Sequence, residues 1–82
     1  MKYAIAYTKQ AEVELLAFPV KIQRQIAAKI ARLQHGFTGD IKKLQAADNV
    51  YRLRSGDFRI LFELEGSTLV IRAIRDRKEA YE

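Results

Sequence analysis

The residues best suited to chemistry are arginines two positions apart in the second half of the chain. Arg52 and Arg54 alternate with Tyr51 and Leu53, and a period of two is the repeat of a β-strand, whose successive side chains point to opposite faces. A few residues on, Phe58, Ile60, Phe62 and Leu64 alternate with Arg59, Leu61 and Glu63. Burying the apolar faces of both strands together places Arg52, Arg54 and Arg59 on the far side of one sheet. Three guanidinium groups with no equal acidic set facing them repel one another, and a bound polyanion relieves that repulsion. The planar fork of Arg grips phosphate bidentately, so phosphate binding is the chemistry this spacing suits. A solvated polar face would carry the same residues. Arg72, Arg75 and Arg77 add charge further on, and strand parity puts Arg72 and Arg75 on opposite faces unless a bulge intervenes. Tyr81, after that basic stretch, is suited either to packing back on the sheet or to stacking on a base.

Other chemistries find little support. The chain has no cysteine and a single histidine, His35, which removes disulfides, a thiol nucleophile, a Cys-based zinc site and a histidine-rich metal cluster. His35 falls at a helix end, where a dipole partner or an exposed cap is the expected role. Glu12 and Glu14 fit the acidic half of a helix, and Glu63 and Glu65 flank a turn; neither pair has the character of a glycosidase carboxylate pair. No Ser-His-Asp set and no phosphate-cradling glycine loop is present. No metal and no cofactor is therefore expected.

Composition agrees with a polyanionic partner. The 82 residues carry 15 Lys and Arg against 10 Asp and Glu, a formal net charge of +5. That length fits one small domain spanning residues 1–82, and its 49% hydrophobic content describes a folded globule. No apolar run reaches the ~18–20 residues of a membrane span, and no signal-peptide core opens the sequence. The expected compartment is the cytoplasm.

The elements that must position the arginines can be read in order. Tyr3 to Tyr7 is an opening strand. Thr8 is an N-cap for a helix over Lys9 to Ala17, with Val13, Leu16 and Ala17 on one side. Pro19 suits the first residue of a second helix, where Ile22, Ile26, Ile30 and Leu33 form an apolar stripe running to about Gln34. Lys21, Arg24, Lys29 and Arg32 flank or oppose that stripe, and Gly36 is placed as the C-cap. Strands follow at Val50–Arg54, Phe58–Leu64 and Thr68–Ile74, separated by the turns Ser55-Gly56-Asp57 and Glu65-Gly66-Ser67. The expected class is α+β: an N-terminal strand, a helical hairpin, then an antiparallel meander, with the helices on one sheet face.

Several stretches together resemble the RelE/ParE toxin superfamily of bacterial and archaeal toxin–antitoxin modules. They are Lys43-Leu44, the run Tyr51-Arg52-Leu53-Arg54-Ser55-Gly56-Asp57-Phe58-Arg59-Ile60-Leu61-Phe62, and Ile74-Arg75-Asp76-Arg77-Lys78-Glu79-Ala80-Tyr81. The element order matches as well, so the resemblance covers essentially the whole chain and implies the RelE-like microbial RNase fold. RelE-like members are ribosome-dependent endoribonucleases that cut mRNA in the A site. Their active-site positions correspond here to Arg52, Arg54, Arg59, Arg75 and Tyr81, a set that favours the RelE-like branch. The resemblance further implies attack of a ribose 2′-OH on the adjacent phosphate, with Arg59 and Arg75 gripping that phosphate. Arg52 and Arg54 would add field, and Tyr81 would stack on or orient the base. Lys42, Lys43 and Arg77 would contact RNA backbone. The implied partners are a cognate acidic antitoxin, the ribosome and mRNA, with no membrane. The alternative is a ParE-like toxin that inhibits DNA gyrase and needs no arginine cluster.

Overall fold

The computed structural model describes residues 2–37, 40–44 and 49–76, with Asp40 described by its backbone alone. In chain order the elements are β1 (Ala4–Tyr7), α1 (Lys9–Leu16), α2 (Val20–Leu33), β2 (Asp40–Lys43), β3 (Val50–Ser55), β4 (Phe58–Glu65) and β5 (Thr68–Asp76). They form an α+β fold with one five-stranded sheet in the order β1-β5-β4-β3-β2. All neighbours are antiparallel except β1 and β5, which run parallel. The connection between the parallel neighbours is correspondingly long, running through both helices and then β2, β3 and β4, since parallel strands cannot be joined by a tight turn.

One face of the sheet is apolar and carries both helices. Leu53, Phe58, Ile60, Phe62, Leu69, Ile71 and Ile74 pack there against Ala11 of α1 and Ile26, Ile30 and Leu33 of α2. The isoleucine stripe of α2 therefore does what its spacing predicts, with Ile26 fully buried and Ile22 packed partly against the core. An aromatic cluster closes one end, where Phe37 meets Tyr3, Tyr51 and Phe62 at centroid distances of 5.6, 5.1 and 5.4 Å.

The two turns that set strand register have the expected chemistry. Ser55 pairs with Phe58 and Glu65 with Thr68, so each loop holds two residues. Gly56 and Gly66 open these loops at φ of 58° and 62°, the first-position glycine of a type II′ hairpin. A one-residue slip in this register would turn every arginine of β3 or β4 into the core, so the loops fix the arginine face as well as the fold.

The structure corrects four local expectations. Pro19 is the N-cap of α2, not its first helical residue, because its ψ of 151° is extended. Val13 and Leu16, read as one apolar side of α1, are 57% and 70% exposed; the buried contacts of that helix come from Ala11 and partly from Leu15. The C-cap of α2 is Gln34, and Gly36 lies two residues beyond it at a φ of 145°. Strand β2 was not expected, because Asp40-Ile41-Lys42-Lys43 is short, charged and carries one β-branched residue, which is how an edge strand is often built. Thr8 does cap α1, accepting the Ala11 N–H at 3.1 Å. Among the described residues no helix is long and apolar enough to cross a membrane.

Candidate functional site

The face of the sheet away from the helices holds the arginines, and the register lines them up. Arg54 pairs with Arg59 across β3 and β4, and Arg59 pairs with Arg75 across β4 and β5. Three cations thus stand side by side on adjacent strands, where like charges directly opposite one another destabilise a sheet. One row further in, Arg52 pairs with Leu61, and Leu61 with Ala73. Ala73 is 6% exposed, so small and apolar groups floor the site beside the row. A floor of low polarisability strengthens the field of the charges above it.

Two of these arginines carry an unanswered hydrogen-bond donor. The Nε atoms of Arg52 and Arg59 are buried and have no partner among the described residues. Leaving a buried donor unpaired costs roughly 1–3 kcal/mol, which suits a site whose acceptor arrives with a ligand. Arg54 and Arg75 are the exposed members of the set.

A bulge decides which residue of β5 joins the row. Leu61 pairs with Ala73 but Phe62 pairs with Ile71, so Arg72 is the additional residue. The shift brings Arg75 opposite Arg59 while Ile74 stays in the core. Arg72 instead pairs through its Nη1 with Glu63, which also accepts from Asn49. Its charge is answered within the chain.

Arg75 has one internal tie. Its Nε lies 3.3 Å from Oε2 of Glu14 on α1, and the other oxygen of Glu14 accepts the Ile74 N–H at 2.8 Å. In the sequence Glu14 marks only the acidic half of a helix; a partner 60 residues away leaves no local signal.

The remaining expected positions divide. Lys42 pairs with Arg52 and so stands on the arginine face, whereas Lys43 pairs with Tyr51, whose ring stacks on Phe62 in the core. The two lysines therefore point to opposite faces, because they are neighbours on one strand. Arg77 and Tyr81 lie outside the described residues. Burial raises the pKa of the Tyr7 hydroxyl above its ordinary value. Tyr7 pairs with Ile71 on the core side of β1 and is not a base for the arginine row. No group of three or more metal-ligating side chains occurs among the described residues.

The chain has relatives of known name and structure. An archaeal protein named Toxin RelE3, from Methanocaldococcus jannaschii, is 42% identical over 43 residues, a stretch that is 52% of this chain and 49% of that one. The match spans about half the length of that relative. A solved RelB-RelE antitoxin-toxin complex from Methanococcus jannaschii contains a chain 30% identical to this one, superposing with a TM-score of 0.78 over 93% of this chain and 94% of that one. The chain belongs to the RelE toxin superfamily. A RelE chain in the archaeal RelE-RelB complex from Pyrococcus horikoshii superposes with a TM-score of 0.81, covering 98% of this chain and 100% of its own length. At 23% identity that likeness speaks for the RelE fold alone. No protein-family model matches the sequence.

Proposed function

We propose that this RelE-family chain is the toxin of a toxin–antitoxin pair and an endoribonuclease that cuts mRNA in the ribosomal A site. The observation that carries this reading is the row Arg54–Arg59–Arg75 beside Arg52, with two buried Nε donors lacking a partner. A phosphodiester entering the reaction acquires extra negative charge, and prepositioned donors stabilise it without reorganising. The ribose 2′-oxygen forms a bond to phosphorus as the bond from phosphorus to the 5′-oxygen breaks. The 2′ proton passes to a base and the departing oxygen gains a proton, leaving a 2′,3′-cyclic phosphate and a 5′-OH.

In this mechanism Arg59 and Arg75 clamp the scissile phosphate, and Arg52 and Arg54 hold the field around it. Arginine is never deprotonated at working pH, so these residues bind and stabilise charge and do not move the protons. Proton transfer is left to Tyr81, which would also orient the base, and to groups of the ribosome. Lys42, on the arginine face, and Arg77 contact RNA backbone; Lys43, on the opposite face, does not join them. The working compartment is the cytoplasm, where ribosomes and mRNA meet.

An acidic antitoxin is the second proposed partner. The two solved relatives just described are from complexes of RelE with RelB, and a net charge of +5 favours an acidic segment that folds onto the chain. Cleavage assayed by primer extension on mRNA, with and without programmed ribosomes, tests the reading. The expected result is cleavage that needs ribosomes and leaves 2′,3′-cyclic phosphate ends. Intact mRNA together with inhibited gyrase supercoiling would overturn it in favour of a ParE-like toxin.

A further inference from the structure

Beyond the arginines themselves, we infer that Glu14 of α1 is a positioning residue that holds Arg75 in register with Arg59. The inference rests on the ribonuclease reading and deepens it. It starts from the edge of β5. Strand β1 pairs with β5 only as far as Tyr7 and Ile71, and Thr8 follows by donating its N–H to the Ile71 carbonyl and its hydroxyl to the Arg72 carbonyl. Beyond that point no strand among the described residues covers the outer edge of β5. An uncovered edge leaves unpaired backbone donors and is free to twist.

Glu14 takes the place of the missing strand. Its Oε1 accepts the Ile74 N–H, and its Oε2 accepts from Gln10 at 2.9 Å while facing the Arg75 Nε. One carboxylate therefore holds the backbone one residue before Arg75 and the side chain of Arg75 together. Its own side chain is only 17% exposed, and Arg75 is 45% exposed. The pair engages Nε, which leaves the Nη groups of Arg75 for an external anion. A guanidinium has five donors, so it can serve an internal carboxylate and a phosphate at once.

This placement gives a test in which charge and position have opposite signs. Replacing Glu14 by Gln removes a negative charge, which by long-range electrostatics alone strengthens attraction to RNA. Loss of positioning acts the other way, because displacing a reacting partner by an ångström or so costs up to roughly 10²-fold in rate. Gln also keeps an oxygen for the Ile74 N–H, so the strand edge survives the change.

The experiment compares wild type, Glu14→Gln, Arg75→Ala and the double variant in single-turnover cleavage of mRNA on programmed ribosomes. The Arg75 Nε–H resonance is followed by 15N NMR in the free proteins. Glu14→Gln is expected to lower the saturating rate roughly tenfold without weakening half-saturation. It should add no further loss in the Arg75→Ala background, and the Nε–H should lose the ordered signal it shows in wild type. An unchanged or faster rate, an additive loss in the double variant, or an Nε–H equally ordered in both proteins would overturn the inference. Absence of cleavage by wild type would instead overturn the ribonuclease reading, and with it any catalytic role for Glu14; the NMR comparison would still decide whether Glu14 holds Arg75.

Discussion

If the arginine row is kept for a ligand, the free protein should be destabilised by it, and Arg59 is the place to measure that. Arg59 stands between Arg54 and Arg75 in register, and each directly opposed like pair costs roughly 0.2–1 kcal/mol. Its buried Nε also lacks a partner, a further penalty of roughly 1–3 kcal/mol where desolvation is complete. Methionine has similar length and keeps the apolar stem while removing both costs. Part of the gain is offset because Glu14 already answers some of the charge of Arg75. Arg59→Met should therefore stabilise the free protein by about 1–2 kcal/mol, and for a domain of this size each kcal/mol raises Tm by roughly 4–8 °C. Thermal unfolding followed by circular dichroism at low salt reads the shift. Raising sodium chloride towards 1 M shortens the Debye length from ~10 Å at 0.1 M to ~3 Å, so the gap between the proteins should narrow. The same variant should lose cleavage activity by roughly 10²-fold, the scale of removing one charge-stabilising donor. A natively folded Arg59→Met that melts at or below the wild-type temperature would refute this reasoning, since the row would then carry no strain for a ligand to relieve.

Two further expectations concern the frame of the site. Gly56 begins the β3–β4 loop at a φ of 58°, with open space where a Cβ would stand, so Gly56→Ala meets no clash and costs about 1–2 kcal/mol through the left-handed backbone alone; a Tm equal to wild type would show that the loop takes another conformation. Burial raises the Tyr7 hydroxyl, so its contribution to stability is fully present below the unfolded tyrosine pKa of about 10 and is lost as pH rises from there through the higher folded value. Tyr7→Phe should flatten the alkaline limb of a stability–pH profile and leave neutral pH alone; an unchanged alkaline limb would contradict that.

The sequence makes most of the candidate site legible, for an identifiable reason. Alternation in β3 and β4 is strict, and two glycine-led loops fix the pairing, so Arg52, Arg54 and Arg59 fall on one face without any tertiary information. Thr8 and the isoleucines of α2 are equally local signals, readable from capping chemistry and helical spacing. What escapes is non-local. The bulge at Arg72 breaks parity in β5 and is visible only from its pairing with β4. Parity alone therefore leaves open whether Arg72 or Arg75 joins the row. Glu14 reaches Arg75 across most of the chain length, and β2 gains its strand character by pairing with β3 rather than from its own residues. The exposure of Val13 and Leu16 is missed because periodicity identifies an apolar side without saying what lies against it.

The most direct test of the central claim is single-turnover mRNA cleavage on programmed ribosomes with an empty A site, comparing wild type with the double variant Arg59→Ala and Arg75→Ala. The account predicts ribosome-dependent cleavage by wild type and a loss of at least roughly 10²-fold in the folded double variant. Equal rates in the two proteins, or no cleavage by folded wild type, would contradict it.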